Sequence, residues 1–299
     1  MCGICGELRT DGRRPEEATL GRMLARLEQR GPDHEGRHLF DNIALGHRRL
    51  SVIDLSAASN QPWVDESLGL ALVFNGAIYN FKELRAELKD KGYSFRSEGD
   101  TEVILKAYAE WGTAFAERLH GMFAIALWDM RQQQLVLVRD RFGIKPLYYS
   151  HDRACCRFAS TAQALLAAGG VDRSIDAVAL HHHFTLHAVV PAPRTLLKGV
   201  RKLPPAHIMV INSDGHDRVF SYWELNAAPS IRPQSEDEWL EATREALYKA
   251  VERRRVIADV PVGVLLSGGL DSSLLVALLA EHGGSDLRTF SVGFEDHPD

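Results

Sequence analysis

The sequence predicts two successive domains, a mixed α+β domain followed by the start of an α/β domain. The chain has 299 residues, enough for about two domains. Short β-type runs joined by polar turns dominate residues 122–160, and helical patterns lie on either side of them. From residue 262 the order becomes strand, glycine-rich loop, helix and strand, which is typical of a parallel sheet. We expect the first domain at 1–215, a linker at 216–234 and part of the second domain at 235–299.

Composition and charge argue against several classes of protein. A hydrophobic content of 45% and a charged content of 25% are ordinary for a globular protein. The net charge of -5 gives no bulk attraction for nucleic acid or an anionic membrane. The start of the chain lacks the pattern of a secretory signal, and no apolar run is long enough to span a bilayer. We therefore expect a cytoplasmic protein with no nucleic-acid and no membrane partner.

The first residues carry the most informative chemistry. Cys2 follows the initiator methionine, which is usually removed before a small residue. Cys2 would then hold a thiol, with a pKa near about 8.5, and a free α-amine, with a pKa near about 7.7–8.0. The amine can take the thiol proton, which is the arrangement of an N-terminal nucleophile. The alternative is a chance cysteine on a frayed terminus.

The other cysteines favour packing over metal binding. Cys2 and Cys5 match the C-x-x-C pattern, but no second pair at zinc spacing follows, so we predict no metal site. A redox role for this pair stays open and requires a functional Cys5. Cys155 and Cys156 are adjacent on a predicted strand and would point to opposite faces.

The first hundred residues alternate between helical and strand patterns. Apolar spacing predicts a helix over 16–30 and a strand with its exit over 43–54. Arg49 in that strand is either a clamp for a substrate carboxylate or part of a surface ion pair. A buried strand over 70–74 runs into Asn75-Gly76, which is either a turn or a pair of donors for an oxyanion.

The next segment adds a carboxylate and the β-rich region. Asp100 precedes a helix predicted over 101–111 and is either a plain N-cap or an anion for a substrate ammonium. Asn80 with Glu83 resembles a capping box. Strands follow over the β-rich region, and a helix at 176–186 contains three consecutive histidines, which do not converge on one metal.

The second domain begins with a capping box and then a phosphate-binding pattern. Ser235 and Glu238 are spaced to cap a long helix. A Ser/Gly-rich loop at 267–273 separates a buried strand at 262–266 from an apolar helix at 274–280. Such a loop presents backbone N–H groups to a phosphate at the positive end of a helix dipole. Its sequence lacks the lysine of a Walker A loop, which favours a pyrophosphate that leaves intact.

These motifs together resemble a known family. They are MCGI at 1–4, RGPD at 30–33, HRRLSVID at 47–54, FNG at 74–76, IYN at 78–80, GDTEVI at 99–104, RDRFGIKP at 139–146, PAPR at 191–194 and DVPVGVLLSGGLDSS at 259–273. With them the chain resembles the glutamine-hydrolysing asparagine synthetases, which are class-II amidotransferases. The resemblance implies an N-terminal-nucleophile (Ntn) domain, an αββα sandwich, followed by an α/β ATP-pyrophosphatase domain.

The resemblance also implies roles for individual residues. Cys2 would attack the glutamine amide, and Asn75 and Gly76 would stabilise the oxyanion. Glutamine would be bound by Arg49, Leu50, Val52, Ile53, Asn75, Gly76 and Asp100. ATP, with magnesium, would be bound by Leu266, Ser267, Gly268, Gly269, Leu270, Asp271, Ser272 and Ser273. Aspartate would accept the ammonia, and the chain could assemble as a homodimer.

Two departures from the family pattern matter. The family has Asn-Gly-Glu where this chain has Asn75-Gly76-Ala77, so one acceptor for the glutamine ammonium is missing. Family members are also far longer, so we expect a truncated synthetase domain without its aspartate-binding residues. The alternatives are an amidotransferase for another carboxylate, or a phosphate-loop binding or regulatory protein with a decayed glutaminase.

Overall fold

The computed structural model describes residues 1–227, 235–255, 257–281 and 287–293. The chain divides into two compact units, Met1–Leu225 and Asn226–Asp299. The predicted linker began at 216, but Asp217–Ser221 form a strand that pairs with His207–Asn212. The ladder between these strands therefore carries the first unit beyond the predicted boundary. The rest of the predicted linker, from 228 to 234, lies outside the described residues.

The first unit is built from antiparallel strands and short helices. In chain order its elements are β1 (Gly3–Arg9), α1 (Glu17–Ala25), β2 (His34–Leu39), β3 (Ile43–Arg49), β4 (Trp63–Asp65), β5 (Leu70–Ile78), α2 (Phe81–Asp90), α3 (Asp100–Trp111), α4 (Phe115–Arg118), β6 (Gly121–Asp129), β7 (Gln134–Arg139), β8 (Tyr148–His151), β9 (Cys155–Ala159), α5 (Ala162–Ala168), α6 (Ala177–Thr185), β10 (Arg201–Lys202), β11 (His207–Asn212) and β12 (Asp217–Ser221). Short 3₁₀ turns lie at Glu28–Arg30, Ala57–Ser59 and Gly112–Ala114.

Within residues 1–227 the strands form two six-stranded sheets that pack face to face. The first sheet has the order β10-β8-β9-β1-β3-β2, and the second has the order β12-β11-β7-β6-β5-β4. One buried cluster joins Ile4 and Phe158 of the first sheet to Val73 and Trp128 of the second. Helices α1 and α5 cover the outer face of the first sheet, and α3 lies against β5 of the second. This is the αββα sandwich that the family resemblance implied.

Several predicted elements have different ends in the structure. The helix predicted over 16–30 stops at Ala25 and continues only as a 3₁₀ turn. The strand predicted over 70–74 continues to Ile78, because its ladder to β6 runs from Leu70 to Ile78. The predicted Asn80 capping box is wrong. The Asn80 amide instead joins Arg118 O and His120 N, at 3.0 and 2.9 Å.

The second unit contains α7 (Glu236–Arg255), β13 (Gly263–Leu265), α8 (Leu270–Glu281) and β14 (Arg288–Phe290). Strands β13 and β14 pair in parallel, as the β-loop-α-β pattern predicts. The predicted capping box is confirmed. Ser235 N donates to Glu238 Oε2 at 2.9 Å, and Glu238 N donates to Ser235 Oγ at 3.2 Å. No helix of the described residues combines the length and apolarity that a membrane crossing requires.

Candidate functional site

Strand alternation places Cys2 and Asn75 on the face between the two sheets. Ile4 and Leu8 of β1 lie in the inter-sheet core, so Cys2, two residues before Ile4, continues the same face. Ala71 and Val73 of β5 lie in that core as well, so Asn75 and Ala77 project to the same side. His47 and Arg49 follow Ile43 and Leu45 on β3 in the same way. The chain thus collects these side chains at one end of the sandwich interior.

The Cys2 thiol is half-buried against Leu50. Leu50 N–H donates to Cys2 Sγ at 3.4 Å, and Leu50 O lies 3.5 Å from the same sulfur. Burial raises the pKa of the thiol, and the negative charge of Asp100 raises it further. The Leu50 hydrogen bond, the N-terminal amine and Arg49 each oppose that rise in pKa. The pKa of the thiol therefore depends on burial and on two nearby charges of opposite sign, those of Asp100 and Arg49.

Asn75 presents a buried amide group without a partner. The residue is 1% exposed, and its Nδ2 has no hydrogen-bond partner among the described residues. An unsatisfied buried donor costs about 1–3 kcal/mol. Such a cost is typical of a group that a ligand satisfies, and an oxyanion is the kind of ligand that an amide N–H stabilises.

Strand β5 has an open edge beside Asn75, because its pairing with β4 extends no farther than Leu72, which lies opposite Trp63. Side chains complete this edge. Phe74 N donates to Gln61 Oε1 at 2.6 Å, and His47 Nε2 lies 3.1 Å from Phe74 O. Farther along, Ile78 N donates to Asp100 Oδ2 at 3.0 Å.

Gly76 lies between these two anchored positions. Phe123 is its cross-strand partner on β6. Phe123 N donates to Asp140 Oδ2 at 3.2 Å, and Phe123 O accepts from Asp140 N at 2.9 Å, so both groups point away from β5. In an antiparallel ladder the N–H of Gly76 must then point away from β6, toward the open edge. A Cβ at residue 76 would lie 2.1 Å from Met122 O, so only glycine fits. The alternative interpretation of Asn75-Gly76 as a turn is excluded, because both residues belong to β5.

Asp100 is a buried carboxylate at the first residue of α3. It is 5% exposed, and no ion pair with a basic side chain is found for it in the described part of the chain. Burial raises the pKa of Asp100 to about 6, although backbone N–H groups and the charge of Arg49 oppose the rise. The N-cap of α3 is Gly99, so the interpretation of Asp100 as a plain N-cap is wrong. Its side chain instead reaches the open edge of β5.

Arg49 is buried, and its guanidinium holds the segment that follows β3. Nη1 donates to Ser56 O at 2.8 Å and to Asn60 Oδ1 at 2.7 Å. Nη2 donates to Ile53 O at 3.5 Å and to Asp54 O. The surface ion pair is excluded, because the residue is 5% exposed. The carboxylate clamp stays a prediction, since segment 53–60 occupies both terminal nitrogens.

The three remaining residues of the predicted glutamine site belong to the same segment. Leu50 contacts the thiol, whereas Val52 is exposed and Ile53 is partly buried. Their predicted role in glutamine binding stays a prediction.

The C-x-x-C redox interpretation does not fit the strand geometry. Cys5 is fully buried on the opposite face of β1 from Cys2, among the residues under α1 and α5. Burial raises the pKa of Cys5 far above its usual range. Cys155 and Cys156 are also free and buried, as predicted for packing residues. Among the described residues no group of His, Cys, Asp or Glu is arranged to hold a metal ion.

The predicted phosphate loop is exposed and internally bonded. Helix α8 begins at Leu270, earlier than predicted, so Leu270, Asp271, Ser272 and Ser273 form its first turn. Ser267 Oγ lies 3.1 Å from Ser272 Oγ, and Ser267 N donates to the same hydroxyl at 3.3 Å. Gly268 has a φ of +80°, and a Cβ there would meet nothing within 4 Å. This open backbone and its hydroxyl donors fit a phosphate chain, and the roles of residues 266–273 stay predictions.

Sequence reasoning missed His47 and Gln61. His47 lies inside a motif that carried the resemblance, which was the available signal. Gln61 had no local signal, because its role follows from the tertiary fold alone.

Comparison with known proteins assigns the family. The sequence model of the protein family described as "Glutamine amidotransferase domain" matches residues 1–223. The chain belongs to the glutamine amidotransferase family. A model described as asparagine synthase matches residues 242–299.

Several known proteins resemble this glutamine amidotransferase over nearly its whole length. Asparagine synthetase [glutamine-hydrolyzing] 1 of Bacillus subtilis is 38% identical over 99% of the chain and 46% of the relative. Asparagine synthetase [glutamine-hydrolyzing] 3 of the same organism is 33% identical over 99% of the chain and 49% of the relative. The chain thus spans about half the length of these curated relatives.

A solved structure supports the fold of this glutamine amidotransferase. The glutamine phosphoribosylpyrophosphate amidotransferase of B. subtilis has a TM-score of 0.56 and 17% identity, over 99% of this chain and 67% of that chain. The predicted fold class, an Ntn amidotransferase domain followed by the start of an α/β domain, is confirmed.

Proposed function

We propose that the first unit hydrolyses glutamine to glutamate and ammonia, with Cys2 as the nucleophile. The observation that carries this proposal is the shared face of Cys2 and Asn75, next to the open edge at Gly76. The buried amide donor and the backbone N–H supply the two donors that an oxyanion requires. Asp100 supplies the anion for the α-ammonium of glutamine.

The reaction follows from these groups in two stages. After removal of Met1, the α-amine of Cys2 takes the thiol proton, and the sulfur forms a bond to the side-chain amide carbon. The C–N bond breaks, and the amine gives its proton to the departing ammonia. Water then attacks the thioester, which releases glutamate and restores the thiol.

We propose further that the ammonia serves an ATP-dependent amidation of aspartate. The match of residues 242–299 and the names of the curated relatives support this part of the proposal. The loop at 267–273 would hold the pyrophosphate of ATP, for which its hydroxyls and open glycines are suited. Magnesium would accompany ATP and neutralise its phosphate charge.

Three variants test the first stage. Cys2→Ala should abolish glutamine hydrolysis, and Asn75→Ala should lower kcat by about 10²–10³-fold. Cys5→Ala is the matched control, and its activity should persist because Cys5 faces away from the site. Mass spectrometry of the active protein should show that Met1 has been removed. Glutamine hydrolysis by Cys2→Ala, or by protein that retains Met1, contradicts the assignment.

A further inference from the structure

Lys145 is a buried cation beside the N-terminus. It is 4% exposed, and its Nζ donates to the thioether sulfur of Met1 at 3.1 Å. No ion pair with a carboxylate is found for it within the described ranges. Lys106, which is equally buried, is paired with Glu102 at 2.8 Å. A buried charge is costly unless it is paired, so an ammonium that donates to a thioether and has no ion pair among the described residues points to a functional role.

Arg30 brings a second positive charge to the same backbone. Its Nε donates to Cys2 O at 3.0 Å. Its Nη2 is buried and has no hydrogen-bond partner in the described part of the molecule. The side chain of Arg30 comes from the 3₁₀ turn after α1, whereas Lys145 comes from the loop after β7. Two separate segments therefore direct cations at residues 1 and 2.

The loop that carries Lys145 is firmly held. Asp140 is fully buried and accepts hydrogen bonds from the backbone N–H groups of Phe142, Ile144 and Lys145, at 3.1, 2.9 and 2.9 Å. Arg139 Nε donates to Lys145 O at 3.0 Å. The backbone from which the Lys145 side chain projects is thus held by contacts that do not involve Met1.

The charges around the amine act in both directions. Burial is the main cause that lowers the pKa of the Met1 α-amine, which occupies the N-terminus before processing, and Arg30 and Lys145 lower it further. The Cys2 thiolate and Asp33 oppose this lowering of the pKa. Asp100, from α3, raises the pKa of the Cys2 thiol, and Arg49, from β3, lowers it. Burial and the charge of Arg30 also lower the pKa of Lys145 itself, whereas the Cys2 thiolate and the carboxylate of Asp140 oppose that lowering.

We propose that Lys145 and Arg30 form a cationic pair that keeps the α-amine of processed Cys2 unprotonated and stabilises the Cys2 thiolate. This inference rests on the proposed function, in which Met1 is removed. Removal of Met1 takes away the thioether and leaves the α-amine and thiol of Cys2 as the neighbours of Lys145. Nearby positive charge disfavours an ammonium and favours a thiolate. Both residues are positioning residues, because they act through Cys2.

The pH profile of kcat tests the proposal. At saturating glutamine, which keeps Asp100 ionised, the acidic limb of Lys145→Met should lie about one pH unit higher than in the wild type. Activity below the limb should fall about tenfold and recover above it. Lys145→Arg keeps the charge and should keep the limb. Lys89→Met, which changes an exposed lysine of α2, is the control and should leave the profile unchanged.

A second measurement requires no turnover. The rate of Cys2 alkylation by iodoacetamide, read by peptide mass spectrometry, reports the thiolate fraction against pH. The alkylation profile should shift upward in Lys145→Met and in Arg30→Gln, but not in Arg30→Lys. Unshifted profiles in both charge-removing variants overturn the inference.

The two failures are distinguishable. If the wild type hydrolyses no glutamine, the proposed function fails, and the alkylation profile alone decides the electrostatic role. Thermal unfolding shows whether Lys145→Met folds. If it does not fold, the alkylation profiles of Arg30→Gln and Arg30→Lys are compared, and a shift in the first alone supports the electrostatic role.

Discussion

The Nε2 atom of His47 lies 3.1 Å from the carbonyl oxygen of Phe74, at the open edge of β5. His47 is fully buried, and burial lowers its pKa to about 3, so the imidazole is neutral. A neutral ring that donates through Nε2 holds the Phe74 carbonyl, and Gln61 Oε1 accepts from the Phe74 N–H at the same edge. The strand edge that presents Asn75 and Gly76 is therefore set by two side chains from outside the strand.

His47→Gln should lower kcat for glutamine hydrolysis about tenfold and change KM little, because the donors to the oxyanion would lose their fixed position. The substitution also removes a proton-linked contribution to stability. In the unfolded chain His47 has a pKa near about 6.5 and is protonated below that pH. In the folded protein it becomes protonated only near pH 3, because its pKa is about 3. The free energy of unfolding should thus fall as the pH falls through this window, by at most about 1.4 kcal/mol per pH unit.

Urea unfolding at several pH values checks this stability prediction. His47→Gln should flatten the acid dependence, whereas His207→Gln, which changes a partly buried histidine of β11, should not. An equal acid dependence in His47→Gln and the wild type would show that His47 is not the group responsible.

Asp100 should make glutamine binding depend on pH. Its pKa of about 6 means that the carboxylate is lost below that pH, so kcat/KM should fall there. Asp100→Asn should raise KM about 10- to 150-fold, the equivalent of one charge-assisted hydrogen bond, and remove this part of the pH dependence. Asp90→Asn, at the exposed end of α2, is the control for both kinetic effects.

The same pKa predicts a gain in stability for Asp100→Asn. The folded pKa lies above the unfolded value of 3.8, so the favourable contribution exists at low pH and is lost as the pH rises through about 6. At pH 7 the buried carboxylate is therefore a cost, and Asp100→Asn should unfold at higher temperature. An unchanged KM together with an unchanged melting temperature would remove Asp100 from the site.

Ala77→Glu should improve the use of glutamine, mostly through KM. Ala77 projects to the same face as Asn75, where the family pattern has a glutamate for the substrate ammonium. The added carboxylate should lower KM roughly 10- to 150-fold, at about 1.4 kcal/mol per tenfold. Steady-state kinetics with glutamine and with an analogue lacking the α-amine measures the effect.

Glu98 is the other carboxylate that could have taken over this role. Its side chain is 93% exposed and pairs with Arg85 at 2.8 Å, so we expect Glu98→Gln to leave KM unchanged. A loss of activity in Ala77→Glu, together with a raised KM in Glu98→Gln, would instead support Glu98. No change in KM for Ala77→Glu would mean that position 77 does not face the substrate.

The second unit should be less stable than the first. Its described residues expose large apolar side chains, among them Leu265, Leu270 and Val292, which are 75%, 84% and 81% exposed. A phosphate loop followed by a single strand cannot bury both faces of a parallel sheet. Limited proteolysis should cut first at or after residues 227–234, whereas residues 1–215 should persist. Equal protection of both segments from the protease contradicts the prediction.

The sequence by itself determined the order of the two units and, through the motifs that carry the family resemblance, the Ntn fold class, and it predicts the chemistry at Cys2. These motifs are local signals, such as a cysteine after the initiator methionine and a glycine-rich loop between a strand and a helix. The confirmed capping box of Ser235 and Glu238 is local in the same sense, because its partners are three residues apart.

Only the tertiary structure decided how the candidate site is assembled. Asn75-Gly76 belongs to a strand because β6 pairs with it as far as Ile78, and a two-residue pattern carries no information about that partner. Gln61, His47 and Lys145 act across 13, 27 and 144 residues of chain, on Phe74 and Met1. Burial also shifts the pKa values of Asp100 and His47 in opposite directions. It penalises the charged form of each group, and an acid and a base are charged on opposite sides of their pKa.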